Sequence, residues 1–384
     1  MLIEHLKSLY NNNKETTLFG RYITTDHLLP LLEKFKTHFK ISQIASSVNK
    51  APIYSIQLGQ GEKKVLLWSQ MHGNESTTTK ALFDLLNGFA NKSGLLSSIF
   101  QNCTLLIIPI LNPDGAKAYT RFNANEIDLN RDAQDLSQPE SLALRNAFES
   151  FKPDFCFNLH GQRTIFGAGS TNKSATVSFL APSQDEDLTV TVNRKIAMEI
   201  ICSMNDFLQY QIPNQVGIYD DAFNINCVGD TFQHFGIPTI LFEAGHYDND
   251  YQREITREFI FQSYIVALSY IANNNIDGSL HAAYFDIPLN QKNFYDIIIK
   301  KACIDTSKKQ ISDIGILYKE ELIDGKIEFI PRIEKISNLQ DFYGHKLIDA
   351  NMATVETVNS KPIFEGYEND FVLLNHEYLS LKPK

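Results

Sequence analysis

The chain has 384 residues, which is enough for more than one domain, and its 43% hydrophobic and 21% charged content is that of an ordinary globular protein. The net charge of -10 disfavours nucleic acids and anionic membrane surfaces as partners. The five cysteines have no CxxC spacing, so neither a disulfide framework nor a cysteine metal site is indicated.

Two features of the sequence predict an intracellular protein without a membrane span. The first residues include the acidic Glu4 and soon turn to a run of asparagines, so they lack the charged and apolar regions of a signal peptide. The most apolar stretch, residues 259–272, is too short to cross a bilayer. We therefore expect a cytoplasmic location and no membrane partner, and the oligomeric state is left open.

Apolar runs alternate with helical patterns up to about residue 272. The apolar runs cover residues 64–68, 104–111, 155–159 and 236–242. The helical periodicity of 3.6 recurs at residues 28–39, 82–89, 144–151, 196–208 and 255–271. This alternation predicts an α/β fold with a mostly parallel or mixed central sheet and helices on both faces. The polar stretch 162–187 is typical of a long surface loop.

The alternation stops near the polar segment 273–279, which predicts a domain boundary. Short runs of β type follow at residues 296–299, 315–318, 326–330 and 371–374. The dipeptide Asp324-Gly325 is a hairpin turn signal between two of these runs. The sequence therefore predicts an α/β domain over residues 1–278 and a smaller β-rich domain over residues 279–384.

Three of the apolar runs end in residues that bind metals or transfer protons, namely His72 with Glu75, His160, and Glu243. The carboxyl ends of strands open into a crevice, and zinc prefers nitrogen and oxygen ligands of this kind. Each residue alone has an ordinary structural explanation, because a histidine at a strand end is usually a hydrogen-bonded group and a buried glutamate can pair with an arginine. Their coincidence at three strand ends favours a metal site.

Two arginines, Arg121 and Arg131, bracket a polar segment in a chain that is acidic overall. Guanidinium groups bind carboxylates at two points and can hold developing oxyanions. The alternative is a solvated loop with ordinary surface ion pairs, which contribute little. Beside the strand-end residues, the arginines favour a site for an anionic group.

These motifs together resemble the zinc metallocarboxypeptidases of the carboxypeptidase A type, over about residues 20–272. The resemblance is carried by an ordered set of short motifs: His72-Gly73-Asn74-Glu75, Asn112-Pro113-Asp114-Gly115, Arg121 with Asp128-Leu129-Asn130-Arg131, the strand-final His160, and Glu243-Ala244-Gly245.

The resemblance implies a role for each matching residue. It implies one zinc ion per chain, held by His72, Glu75 and His160 with one open position. Glu243 is then the general base and Arg121 the group that assists the zinc at the scissile carbonyl. Asn130 and Arg131 are implied to bind the carboxylate of a peptide substrate.

The sequence departs from the digestive enzymes of this family in two places. They carry an arginine just before the glutamate ligand, where this chain has Asn74. They also place a mobile tyrosine about two dozen residues before the catalytic glutamate, and Tyr219 is the nearest candidate here for lining the site. The pocket for the substrate side chain is expected within residues 225–233. His246 is expected to have a structural role.

Two other functions remain open on the sequence. Zinc deacylases that resemble aspartoacylase and succinylglutamate desuccinylase belong to the same clan, share the His-Gly-Asn-Glu and Asp-Leu-Asn-Arg elements, and often have a C-terminal β domain. Their substrates are N-acyl amino acids, but Asn112-Pro113-Asp114-Gly115 is closer to the peptidase version. A binding protein that retains a metal is the other alternative, and it has no need of Glu243. We therefore expect a hydrolase that trims peptides.

Overall fold

The computed structural model describes residues 2–305 and 310–383. The α-helices in these ranges are α1 (Leu2–Asn13), α2 (Thr25–Phe35), α3 (Thr77–Ala90), α4 (Ser97–Asn102), α5 (Pro113–Ala118), α6 (Pro139–Phe151), α7 (Val192–Gln209), α8 (Val228–His234) and α9 (Glu254–Asn273). Short 3-10 helical turns lie at Gly94–Leu96, Leu129–Arg131 and Ala282–Asp286.

The strands in the same ranges belong to one large sheet and three small ones. They are β1 (Lys40–Ser46), β2 (Pro52–Gly59), β3 (Lys63–Ser69), β4 (Cys103–Ile108), β5 (Phe155–Gly161), β6 (Phe166–Ala168), β7 (Val177–Leu180), β8 (Val216–Ile218), β9 (Thr239–Ala244), β10 (Asn290–Lys292), β11 (Phe294–Asp305), β12 (Gln310–Ile323), β13 (Lys326–Ser337), β14 (Tyr343–Asp349), β15 (Val355–Glu356), β16 (Phe371–Leu374) and β17 (Glu377–Ser380).

The large sheet has eight strands in the order β1-β2-β4-β3-β5-β9-β7-β8. Its middle strands β4, β3, β5 and β9 run parallel, whereas β1, β2 and β7 each have an antiparallel neighbour. The middle strands are continuous apolar runs because both of their faces are buried. The predicted α/β fold with a mixed central sheet is confirmed.

Helices cover both faces of this sheet. Val65 and Leu67 of β3 pack in the core shared with α1, α2, α3, α7 and α9, while the alternate residues Leu66 and Trp68 pack in a second core with α6 and α8. Successive side chains of a strand point to opposite faces, so one short run serves both cores. The helices in the described ranges are all too short or too polar to cross a membrane.

The expectation of a long surface loop at residues 162–187 was wrong. This stretch contains β6 and β7, and the four residues of β7 are buried in the large sheet. Its buried serine and threonine side chains have hydrogen-bond partners, as when Gln162 donates to Ser178 at 3.0 Å. Buried polar groups that have hydrogen-bond partners are compatible with a strand, so the polar composition of this stretch did not indicate a loop.

The C-terminal part is rich in β-structure, as predicted. One sheet has the order β13-β12-β11-β14 and a smaller one the order β15-β16-β17. The turn Asp324-Gly325 joins β12 to β13 with both residues at positive φ, as a two-residue hairpin requires. The boundary between 278 and 279 stays a prediction, and the terminal residues Met1 and Lys384 of the two predicted domains lie outside the described residues.

Candidate metal centre

The loop after β3 brings His72 and Glu75 to one side of the sheet. The backbone N–H of Glu75 donates to the carbonyl oxygen of His72 at 3.1 Å, which closes a tight turn before α3 begins. This turn packs directly on the start of α5, where a Cβ added to Gly73 would lie 1.9 Å from the carbonyl carbon of Gly115. Any larger residue would clash there, so the glycines of the two motifs allow the two loops to pack closely against each other.

The other two strand-end residues lie on adjacent parallel strands. His160 near the end of β5 is paired in register with Glu243 near the end of β9. Strand β3 lies on the other side of β5, so the loop with His72 reaches the same edge of the sheet. The carboxyl ends of parallel strands open into a common crevice, which explains why residues so distant in sequence meet here.

Three side chains converge on one point at this edge. Nδ1 of His72 lies 2.9 Å from Oε1 of Glu75, and Nδ1 of His160 lies 2.9 Å from Oε2 of the same carboxylate. The two Nδ1 atoms are 3.1 Å apart. Each of the three residues offers one ligand atom, and these atoms all lie within 4.8 Å of one another. Two imidazole nitrogens and a carboxylate oxygen are a donor set that suits zinc.

Asp128 holds the ring of His72 in the orientation that a ligand needs. Nε2 of His72 lies 3.1 Å from Oδ1 of Asp128, so the ring can donate its Nε2–H to the carboxylate and keep the Nδ1 lone pair for a metal. Arg121 donates from Nε to the other oxygen of Asp128 at 2.9 Å, and its Nη1 lies 3.1 Å from Nδ1 of His72. No role for Asp128 was predicted from the sequence. The available signal was a carboxylate in the same motif as Asn130 and Arg131.

The electrostatics of these side chains agree with metal ligation. Burial alone would raise the pKa of Glu75, but His72 and His160 hold it well below the usual value, so this carboxylate is ionised at neutral pH. Burial lowers the pKa of His160, which favours the neutral ring. Burial opposes protonation of His72 as well, but the neighbouring carboxylates of Glu75 and Asp128 raise its pKa. A metal therefore competes with a proton mainly at His72.

Replacing Asp128 by asparagine is expected to weaken zinc binding by about 10- to 100-fold, because His72 loses its charged acceptor. The measurement is the zinc dissociation constant, obtained by competition with a chelating dye. The exposed Asp135, replaced by asparagine, is the matched control in the same segment. Equal zinc affinity in Asp128→Asn and Asp135→Asn would contradict this role.

A cavity of about 420 Å³ opens beside the convergence point. Seven of the eight predicted site residues line it: His72, Arg121, Asn130, Arg131, His160, Tyr219 and Glu243. The eighth, Glu75, lies behind the two histidines and contacts both of them. The structure thus brings the whole predicted set to one place.

Glu243 is a buried carboxyl group without a full set of partners. The residue is 7% exposed, and its Oε2 atom has no hydrogen-bond partner among the described residues. Burial, and then the charge of Glu75, raise its pKa well above the usual range. A carboxyl group in such an environment is a strong candidate for proton transfer.

The residues predicted to bind a substrate carboxylate lie at the rim of the cavity. The side-chain oxygen of Asn130 accepts from the backbone N–H of Val228 at 2.9 Å, which fixes the amide at the start of α8. Arg131 is exposed, and its Nη1 donates to the carbonyl oxygen of Asn130 at 2.6 Å. Tyr219 packs its ring 5.4 Å from that of Phe166, and burial raises the pKa of its hydroxyl.

Several residues that line the cavity were not predicted individually from the sequence. The segment 225–233 contributes Cys227, Gly229 and Asp230, and burial raises the pKa of Asp230 to about 6. Asn158 on β5 and Asp220 beside Tyr219 also line the cavity, and neither has a sequence signal apart from its neighbours. His246 is not among the lining residues. It packs between Tyr251 and His345, in line with the expected structural role.

Comparison with known proteins gives a family match. The family model of the zinc carboxypeptidases (Peptidase_M14) matches residues 26–226, just over half of the chain. Carboxypeptidase SOL1 from Arabidopsis thaliana is 30% identical in an alignment of 183 residues that covers 42% of this chain and 37% of that protein. Carboxypeptidase D from Anas platyrhynchos is 22% identical in an alignment of 173 residues that covers 38% of this chain and 12% of that protein. The chain therefore spans well under half the length of these curated relatives.

Solved structures share the fold. A metallo-carboxypeptidase from Burkholderia cenocepacia superposes with a TM-score of 0.51 at 20% identity, over 65% of this chain and 68% of that one. Carboxypeptidase A from Helicoverpa armigera superposes with a TM-score of 0.53 at 15% identity, over 71% and 80% of the two chains. Since the family model covers more than half of the sequence, this chain belongs to the zinc carboxypeptidase family.

Proposed function

We propose that the chain is a zinc-dependent carboxypeptidase that removes a C-terminal residue from peptides. The observation that carries the proposal is the convergence of His72, Glu75 and His160 at the wall of a cavity that also contains Glu243 and Arg131. Metal ligands, a candidate base and a cation for the terminal carboxylate are thus within reach of one small substrate. One zinc ion per chain and an intracellular location are further parts of the proposal.

The donor set supports zinc at this place. When bound, zinc lowers the pKa of water and polarises a carbonyl group. The chain's own ligands are preorganised for it, because Glu75 is ionised and Asp128 orients His72. The other lining residues would transfer protons and bind negative charges during peptide hydrolysis.

Glu243 moves the protons of the proposed reaction. It accepts a proton from the attacking water and delivers it to the nitrogen of the leaving amine. Its raised pKa suits the second of these transfers, since a carboxyl group that holds a proton can give it away. Burial also keeps bulk water from competing for the proton.

Arginine side chains bind and stabilise the negative charges of substrate and transition state. Arg121 lies beside His72, where it can donate to the oxyanion that develops on the scissile carbonyl, an effect worth about 3 kcal/mol per well-placed donor. Asp128 holds the Arg121 guanidinium in place through Nε. Arg131 and Asn130 at the rim bind the terminal carboxylate of the peptide, which selects for a free C-terminus.

Product analysis tests the proposal. The zinc-loaded protein is incubated with short peptides, the same peptides amidated at the C-terminus, and N-acyl amino acids, and the products are identified by mass spectrometry. We expect single residues to be lost from the free C-termini only, and no loss after a chelator has removed the metal. Cleavage confined to the N-acyl amino acids would support the deacylase instead. No cleavage of any substrate by zinc-loaded protein would contradict the proposal.

A further inference from the structure

A carboxylate of the C-terminal β region enters the α/β body behind the metal site. Glu320 on β12 makes an ion pair with Arg21, with 3.0 Å between Oε1 and Nη1, and its other oxygen accepts a hydrogen bond from the hydroxyl of Tyr119. Side chains of the β12–β13 hairpin, Ile327 and Phe329, pack against the ring of the same tyrosine. Glu320 therefore bridges two segments that are remote from each other in sequence.

The first bridged segment leads to Arg121. Tyr119 follows α5 with a φ of 56°, a left-handed conformation that is disfavoured for a non-glycine residue. Such a conformation persists only when its surroundings hold it. The next residue is bound back to α5, since the N–H of Thr120 donates to the carbonyl oxygen of Gly115 at 2.9 Å. Arg121 leaves this turn toward the cavity, so the bond between Tyr119 and Glu320 adds a contact with the β region to the turn from which the Arg121 side chain starts.

The second bridged segment leads to the metal ligand Glu75. The carbonyl oxygen of Arg21 accepts a hydrogen bond from the hydroxyl of Ser76 at 2.5 Å. Ser76 follows Glu75 directly and is the N-cap residue of α3, but its hydroxyl makes no capping bond to that helix. The hydroxyl is used to tie the ligand loop to Arg21, and Arg21 is in turn held by Glu320.

A second buried guanidinium is affected by the charge of the same carboxylate. Arg253 donates to the carbonyl oxygens of Ala244 and Gln162 at 3.1 and 3.0 Å. Ala244 directly follows Glu243 on β9, and Gln162 lies two residues after His160, just beyond the end of β5. Burial and the charge of Arg21 lower the pKa of Arg253 to about 10, while Glu320 acts in the opposite direction. Removing the charge of Glu320 leaves two neighbouring buried cations less well compensated.

We propose that Glu320 is a positioning residue of the metal site, through which the C-terminal β region fixes both the turn before Arg121 and the loop of Glu75 and Ser76. Each of the two links is a hydrogen-bonded path of one or two residues from Glu320 to the site. The effect on turnover rests on the proposed function, whereas the effect on the two segments does not.

Hydrogen–deuterium exchange of Glu320→Gln in the full chain tests the proposal, because this variant keeps the size of the side chain and removes its charge. We expect faster exchange in residues 72–80 and 119–128, with α7 unchanged. If the wild type cleaves peptides, we also expect kcat/KM to fall roughly 10- to 100-fold, mainly through kcat, as for a misplaced catalytic group. Glu328→Gln, an exposed glutamate on the same hairpin, is the matched control.

Two results would overturn the proposal. One is unchanged exchange in both segments of Glu320→Gln, and the other is a uniform rise of exchange over the whole chain, which a merely structural residue produces. If Glu320→Gln does not fold, Tyr119→Phe carries the same test for residues 119–128, since it removes one hydroxyl only. A wild type that cleaves no peptide would refute the proposed function, while the exchange data would still decide the role of Glu320.

Discussion

Replacing Glu243 by glutamine is expected to lower kcat by about 100- to 10,000-fold while zinc remains bound. Glutamine keeps the size of the side chain but cannot accept the proton of the attacking water. Glu243 is not one of the three converging ligand residues, so the substitution leaves the metal ligands in place. The measurements are steady-state kinetics on a short peptide and the zinc content of the purified variant. Loss of zinc together with activity would show that the base had been assigned wrongly.

The same substitution makes a prediction about stability that does not depend on turnover. A carboxyl group with a raised pKa contributes fully to stability below its ordinary pKa of 4.5, and this contribution decreases as the pH rises toward the raised value. At pH 7 the carboxyl group of Glu243 therefore lowers the stability of the metal-free wild type, and a glutamine in its place does not. Metal-free Glu243→Gln is expected to unfold at a higher temperature than metal-free wild type. Glu199→Gln on α7 is the control, because Glu199 is also buried but both of its oxygens accept hydrogen bonds, and this variant should not gain stability.

Much of the candidate metal centre could be predicted because its signals are local in sequence. Each middle strand is a continuous apolar run, and His72, His160 and Glu243 follow or end such runs. Adjacent parallel strands have their carboxyl ends at the same edge of the sheet, regardless of the sequence of the connecting loops. The pattern thus predicted both the sheet and the meeting of residues from three strand ends.

What the sequence did not predict depends on contacts between distant segments. Strand β7 was missed because it is only four residues long and lies in a polar stretch whose hydroxyl groups find partners in distant segments, as when Ser178 donates to Asn290. The role of Asp128 depends on a ring 56 residues earlier in the chain. Glu320 lies in an ordinary β-hairpin, and nothing local distinguishes it from Glu321 or Glu328. Only the packing of the β region on the α/β body gives it partners.

Replacing His160 by alanine is expected to remove zinc from the site. Only Glu75 and His72 then remain of the converging ligands, and two ligands do not make a stable zinc site. The zinc affinity should fall by more than roughly 100-fold, because 100-fold is about the most that the loss of a residue hydrogen-bonded to a ligand typically causes. Peptide cleavage should fall with the zinc content, measured by atomic absorption after dialysis.

The decisive control for this variant is a second buried histidine. His246 is as buried as His160 and lies three residues after Glu243, but it does not line the cavity. If losing any buried imidazole near this edge loosened the sheet enough to release metal, His246→Ala would release it as well. If His160 binds the metal directly, His246→Ala keeps its zinc even where its thermal stability falls. Full zinc occupancy in His160→Ala would remove this residue from the ligand set.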